Sequence, residues 1–123
     1  METIKSYTDI EQSKKLAEIL PLDSADMYYS CGAVAPDVMI GSKQDYRCYT
    51  ICWSLAALLE QFPYELCDDG NSSYLQMNKE DDVYQLVYTD PYGDFESIET
   101  DRYEHFVDAC VEMIEKLHEL NLL

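Results

Sequence analysis

Basic residues are scarce in this chain: 8 lysines and arginines stand against 25 aspartates and glutamates, a formal net charge of −17. A field of that sign repels phosphate backbones, which argues against direct nucleic-acid binding and directs any charged partner toward a basic one. Long apolar runs are lacking as well. No stretch approaches the roughly 20 residues that span a bilayer, and the N-terminal METIKSYTDIEQSKK has no apolar signal-peptide core. Paired cysteine spacings are also missing. Cys31, Cys48, Cys52, Cys67 and Cys110 are odd in number and irregularly placed, a poor disulfide framework that fits a reducing compartment. The expectation is a soluble cytoplasmic protein without a membrane partner. No internal repeat, linker or low-complexity tract interrupts the 123 residues, so a single domain over residues 1–123 is expected.

What is present is apolar: 47% of residues are hydrophobic and 12% aromatic. Charge of this magnitude favours disorder, but this much apolar surface decides for a folded domain, which at this length buries about two-thirds of its unfolded surface. The apolar residues are densest in RCYTICWSLAALLEQFP, residues 47–63. Ile51, Leu55, Leu58, Leu59 and Phe62 recur at three- and four-residue steps, and Cys52, Trp53, Ala56 and Ala57 widen the stripe almost all round. The spacing predicts a buried helix over residues 51–62, capped by Thr50 and stopped by Pro63, with Trp53 as a core aromatic.

Before that segment, Thr8 and Glu11 form a capping-box pattern, and Ile10, Leu16, Ala17, Ile19 and Leu20 give a first helix that Pro21 stops. Met27, Tyr29 and Cys31 alternate with Tyr28 and Ser30 as a strand, and a second strand over residues 37–41 completes a loose hairpin with an exposed tip at 33–37. Beyond the central helix, residues 64–67, 74–78 and 83–89 are β-prone runs that read as a meander. Its last run offers Val83, Gln85 and Val87 to one face and Tyr84, Leu86 and Tyr88 to the other; one face covers helices and the other stays wet. Residues 89–98 are a turn-rich connection. Thr100 or Asp101 then caps a last helix reaching about Leu120, with Phe106, Val107, Cys110, Met113 or Ile114, and Leu117 inward. The order αββαβββα implies an α+β fold: an antiparallel sheet, hairpin plus three-stranded meander, with three helices largely on one face.

Catalytic signatures are sparse. Cys48 and Cys52 at the mouth of the expected helix are the best reactive thiols, but three residues intervene where a redox pair has two. His105 and His118 lie thirteen residues apart on the last helix without close ligand neighbours, which is wrong for zinc, and residues 90–96 lack the calcium-loop pattern. No catalytic residue, metal or cofactor is expected; the alternative is a small enzyme or metal protein using Cys48 and Cys52 or His105 and His118. A regional feature says more. Residues 65–104 hold twelve acids against Lys79 and Arg102, and six of the eleven tyrosines lie between Tyr64 and Tyr103. Interleaved carboxylates and tyrosines suit a basic protein partner, since tyrosine supplies rigid contact area and acids steer encounter. The candidate contact residues are Tyr74, Tyr84, Tyr88, Tyr92, Asp81, Asp82 and Asp94. The sharpest form of this reading is a DNA-mimicking inhibitor; self-association through the tyrosine face is opposed by −17 on each copy, and the oligomeric state stays open.

Three stretches taken together, residues 10–20 followed by SADMY at 24–28, CWSLAALL at 52–59, and DACVEMI at 108–114 with KLHEL at 116–120, resemble a group of small uncharacterised proteins from phages and mobile elements of gut anaerobes. The similarity spans most of the chain and is weakest over residues 32–46. It implies a short accessory protein of a bacterial or phage cytoplasm and carries over no site residue.

Overall fold

The structure, a computed structural model, describes residues 5–29, 38–40, 50–68, 71–89 and 97–123. In chain order these form α1 (Ile10–Leu16), a 3₁₀ turn (Leu22–Ser24), β1 (Met27–Tyr29), β2 (Val38–Ile40), β3 (Thr50–Cys52), α2 (Leu55–Leu59), β4 (Glu65–Asp68), β5 (Asn71–Glu80), β6 (Val83–Thr89), β7 (Ile98–Glu99) and α3 (Phe106–Glu119). The α+β class and the order of the expected elements hold. Where one antiparallel sheet was expected, the strands divide between two, β2-β1-β3 and β4-β5-β6-β7, and hairpin and meander each recruit one strand that the sequence pattern did not single out.

The first of these is β3. Residues 50–52 were expected to open the central helix, yet Thr50, Ile51 and Cys52 pair with Tyr29, Tyr28 and Met27. Two β-branched residues facing an available strand edge gain a ladder there that a helix start would not supply. The helix therefore begins later. Ser54, not Thr50, is its N-cap, accepting from the Ala57 amide at 3.2 Å, and Asp26 accepts from the Ser54 amide at 2.8 Å. The resulting α2 is short and two-sided, with Leu58 fully buried and Ala56 exposed, rather than buried all round.

The N-cap of α1 is likewise Asp9 rather than Thr8: its carboxylate accepts from the Gln12 amide at 2.7 Å while the Gln12 side chain accepts from the Asp9 amide at 3.1 Å. Thr8 is instead fully buried. Its hydroxyl accepts from the Trp53 amide at 3.1 Å and shares a 2.8 Å bond with the Ser13 hydroxyl, and its own amide donates to the Trp53 carbonyl at 3.0 Å. That exchange ties α1 to the Trp53 segment. The Trp53 ring is fully buried, as its reading as a core aromatic requires, and its indole N–H donates to Ser24 Oγ at 2.9 Å.

The hydrophobic core joins Leu16 and Leu20, Trp53, Leu58 and Phe62, the inner face of β6 and the apolar stripe of α3. α3 packs on β6, α2 on α3, and α1 on β3. Val107, Cys110, Met113, Ile114 and Leu117 are all fully buried, so Met113 and Ile114 both face inward. α3 starts at Phe106 with His105 as N-cap and no side-chain cap. Thr100 and Asp101 do not cap it. The Thr100 hydroxyl accepts from the Leu86 amide at 3.1 Å, and its amide donates to the Leu86 carbonyl at 3.0 Å, extending the β7 ladder. The helix ends as expected, with Asn121 at φ 59° in the left-handed conformation while the Leu122 amide returns to the Leu117 carbonyl at 2.8 Å.

Among the described residues one buried side-chain group is unpaired. Ser73 sits on the core face of β5, opposite Leu66, and its fully buried hydroxyl has no hydrogen-bond partner. A buried unsatisfied hydroxyl costs more than a methyl group at the same place. Ser73→Ala is therefore expected to hold or raise stability by about 1 kcal/mol, read as an unchanged or higher urea midpoint; a clear loss would mean the hydroxyl has a partner in solution.

Candidate functional site

Cross-strand pairing decides which side chains share a face of the larger sheet. Leu66 with Ser73, Leu75 with Tyr88 and Ile98, Met77 with Leu86, and Lys79 with Tyr84 lie on the face toward the helices, which leave Met77 and Lys79 at the hairpin end exposed. Glu65 with Tyr74, Gln76 with Val87 and Glu99, Asn78 with Gln85, and Glu80 with Val83 lie on the other. On this second face Glu65, Gln76, Asn78, Glu80 and Glu99 are exposed.

That division sorts the expected contact residues. Tyr74 is on the wet face, where its ring lies 5.6 Å from the 74%-exposed Tyr64 ring and the neighbouring Glu65 carboxylate raises its phenol above the usual range. Asp81 and Asp82 form the exposed two-residue tip of the β5–β6 hairpin, with Asp81 at φ 54°, a conformation aspartate tolerates better than most residues. Tyr84 lies on the helix side, where its ring is 5.5 Å from that of Phe106 and Lys79 sits over it at 5.4 Å. Tyr88 is a correction. Its ring is fully buried and its hydroxyl donates to the Pro63 carbonyl, so it belongs to the core and not to a contact surface. Tyr92 and Asp94 lie outside the described residues.

The wet face has a consistent layout. Acids stand at its margins: Glu65 on edge strand β4, Glu99 on edge strand β7, and Glu80, Asp81 and Asp82 at the hairpin end. The middle of the face holds the neutral amides Gln76, Asn78 and Gln85 together with Val87, which is buried between Gln76 and Glu99, and the Gln85 side chain donates to the Thr100 carbonyl at 2.8 Å. Arg102, near the hairpin end, is 3.5 Å from Glu80 across an exposed ion pair that contributes little. A shallow depression of about 460 Å³ at this end is lined by Met77, Glu80, Tyr84 and Arg102 among others. Sequence reasoning missed Tyr64, Glu65 and the amides as one surface. The pairing of Glu65 with Tyr74, which joins them, is a contact between strands and leaves no trace in local spacing.

The reactive groups are placed differently from expectation. Cys52 lies in β3, not at a helix mouth, and burial, helped by Asp26, pushes its thiol up to about 12. Burial does the same to Cys110. Both are held as neutral thiols at neutral pH, which is the opposite of what a nucleophile needs. Cys48 lies outside the described residues. Cys67 is exposed on the wet face, 3.5 Å from Glu65 Oε1 and 3.7 Å from Ser72 Oγ. His105 and His118 stand at opposite ends of α3, about 20 Å apart along its axis by helix rise. Among the described residues no cluster of three or more histidines, cysteines and acids could hold a metal ion.

A second depression, about 420 Å³, runs between α1 and α3. Much of its polar lining is paired internally: Asp108 Oδ1 accepts from Lys5 Nζ at 2.6 Å and from Gln12 Nε2 at 2.8 Å, and Glu112 accepts from the Tyr103 hydroxyl at 2.8 Å and the Asp101 amide at 2.9 Å. This is a seam fastening two helices. No helix among the described residues is long and apolar enough to cross a membrane. Compared with known proteins, the chain matches no family model, no curated protein and no solved structure.

Proposed function

We propose that this chain is a non-enzymatic interaction protein, a small accessory factor of a phage or mobile element acting in a bacterial cytoplasm, whose wet sheet face docks a basic protein. The observation that carries this reading is the layout of that face, an acidic margin around neutral amides with the Tyr64–Tyr74 pair at one end. Interfaces tend to deplete charge at their centre and keep it at the rim, with aromatic anchors within the patch. The net charge of −17 adds long-range steering toward a positive partner, an effect that salt screens. A DNA mimic is the sharpest form of the proposal.

The test is capture from a bacterial lysate by the immobilised protein at low and high salt. A basic protein is expected to be retained at low salt and released at high salt. A Glu65→Gln, Glu80→Gln, Glu99→Gln variant is expected to lose about tenfold in affinity, which corresponds to about 1.4 kcal/mol, while Glu11→Gln, Glu18→Gln, on α1 and in the turn that follows it, leaves capture unchanged. Equal loss in both variants would reduce the effect to net charge and defeat the proposal, as would capture of nothing basic. Release by duplex DNA would single out the mimic form.

A further inference from the structure

The two edges of the four-stranded sheet are not equivalent. In β7 the Thr100 amide bonds the Leu86 carbonyl, which fixes Glu99 and Val87 as a non-hydrogen-bonded pair and turns the backbone groups of Glu99 away from β6. Lys116 closes that edge by donating its Nζ to the Glu99 carbonyl at 2.6 Å. In β4 the Leu75 amide bonds the Tyr64 carbonyl, so Glu65 opposite Tyr74 and Cys67 opposite Ser72 are the non-hydrogen-bonded pairs. The amides and carbonyls of Glu65 and Cys67 therefore face the outer edge. Among the described residues no strand lies on that side and no lysine reaches it.

We propose that the β4 edge receives an extended segment of the basic partner as a fifth, added strand. The inference rests on the acidic-face reading above and gives it a docking mode. Strand addition draws affinity from main-chain hydrogen bonds and selectivity from alternate side chains. On the wet side the added strand meets Glu65 and the Tyr64–Tyr74 rings, which call for lysine or arginine through charge and cation–π contact. On the other side it lies beside buried Leu66, which calls for apolar residues. The occupant is thus an extended segment in which basic and apolar residues alternate. A second copy of this chain is disfavoured at the same edge, since it would bring Glu65 toward Glu65 and −17 toward −17.

The test uses the full chain, isotope-labelled, and two end-blocked peptides of one composition, Lys-Val-Lys-Val-Lys-Val and Lys-Lys-Lys-Val-Val-Val, at low salt. The alternating peptide is expected to slow amide exchange at Glu65 and Cys67 by about tenfold or more and to leave Glu99 unchanged; the block peptide is expected to slow neither. If both peptides shift wet-face resonances without slowing Glu65 and Cys67, strand addition is overturned and the acidic-face reading stands. If neither shifts any resonance, the acidic-face reading itself falls. Concentration-dependent protection of the two amides in the free protein would place a second copy at the edge and overturn the proposal.

Discussion

Trp53→Ala is expected to lower the unfolding free energy by about 3–5 kcal/mol, a large share of what holds a domain of this size together. The ring is fully buried, in one cluster with Leu16, Leu58 and the stripe of α3, so its removal leaves a cavity among elements drawn from both halves of the chain. The bonds that the Trp53 amide and carbonyl make to the Thr8 hydroxyl and amide do not involve the ring, which assigns the loss to the side chain. Trp53→Phe separates packing from hydrogen bonding: it keeps most of the apolar volume but deprives Ser24 Oγ of the indole N–H. A smaller loss, about 1–2 kcal/mol, is expected there. Urea midpoints followed by far-ultraviolet circular dichroism give both values, and a Trp53→Ala loss under about 1 kcal/mol would contradict a core role.

Alkaline pH is expected to unfold the protein steeply. Burial is the leading cause that pushes Cys52 and Cys110 up to about 12 from an ordinary 9.0, and Tyr29 and Tyr103 up to about 12 from 10.0; it raises Tyr88 further. An acid whose folded pKa is raised keeps its proton in the fold after the unfolded chain has lost it. The folded state then binds more protons, and stability falls as pH rises. These contributions are complete below pH 9 and are lost between about pH 9 and 12, the thiols first and the phenols from about pH 10. Each fully buried group adds a slope of up to about 1.4 kcal/mol per pH unit in that window. Under reducing conditions the melting temperature should hold to about pH 9 and then drop, while a Cys52→Ala, Cys110→Ala variant should delay the drop toward pH 10. A flat melting temperature to pH 11 would show that folding does not raise the pKa of these groups.

Neither result depends on function, whereas the interaction surface depends on which side chains the fold leaves outside. Tyr84 and Tyr88 show the difficulty. Both alternate with Val83, Gln85 and Val87 in a strand whose two faces are similarly apolar, so the sequence could not say which tyrosines were wet. Packing of α3 on β6 made the choice: it buried Tyr88, left Tyr84 against Phe106, and gave Tyr74 on β5 to the opposite side. The open edge at β4 and the closed one at β7 were equally hidden, since Lys116 and Glu99 are brought together only by the packed helix.

Local pattern alone determined the α+β class, the order of the main elements, the extent of the β6 strand, the inward stripe of α3, the interior position of Trp53 and the acidic charge, because each of these is written in residues a few positions apart. Tertiary structure alone decided that Thr50–Cys52 is a strand, that the strands form two sheets, that Thr100 serves β7 rather than capping α3, and that the wet face carries an acidic margin. The physical reason is the same in every case. A segment with two admissible local conformations takes the one that a partner distant in sequence can satisfy with hydrogen bonds and burial, and that partner is absent from the segment itself.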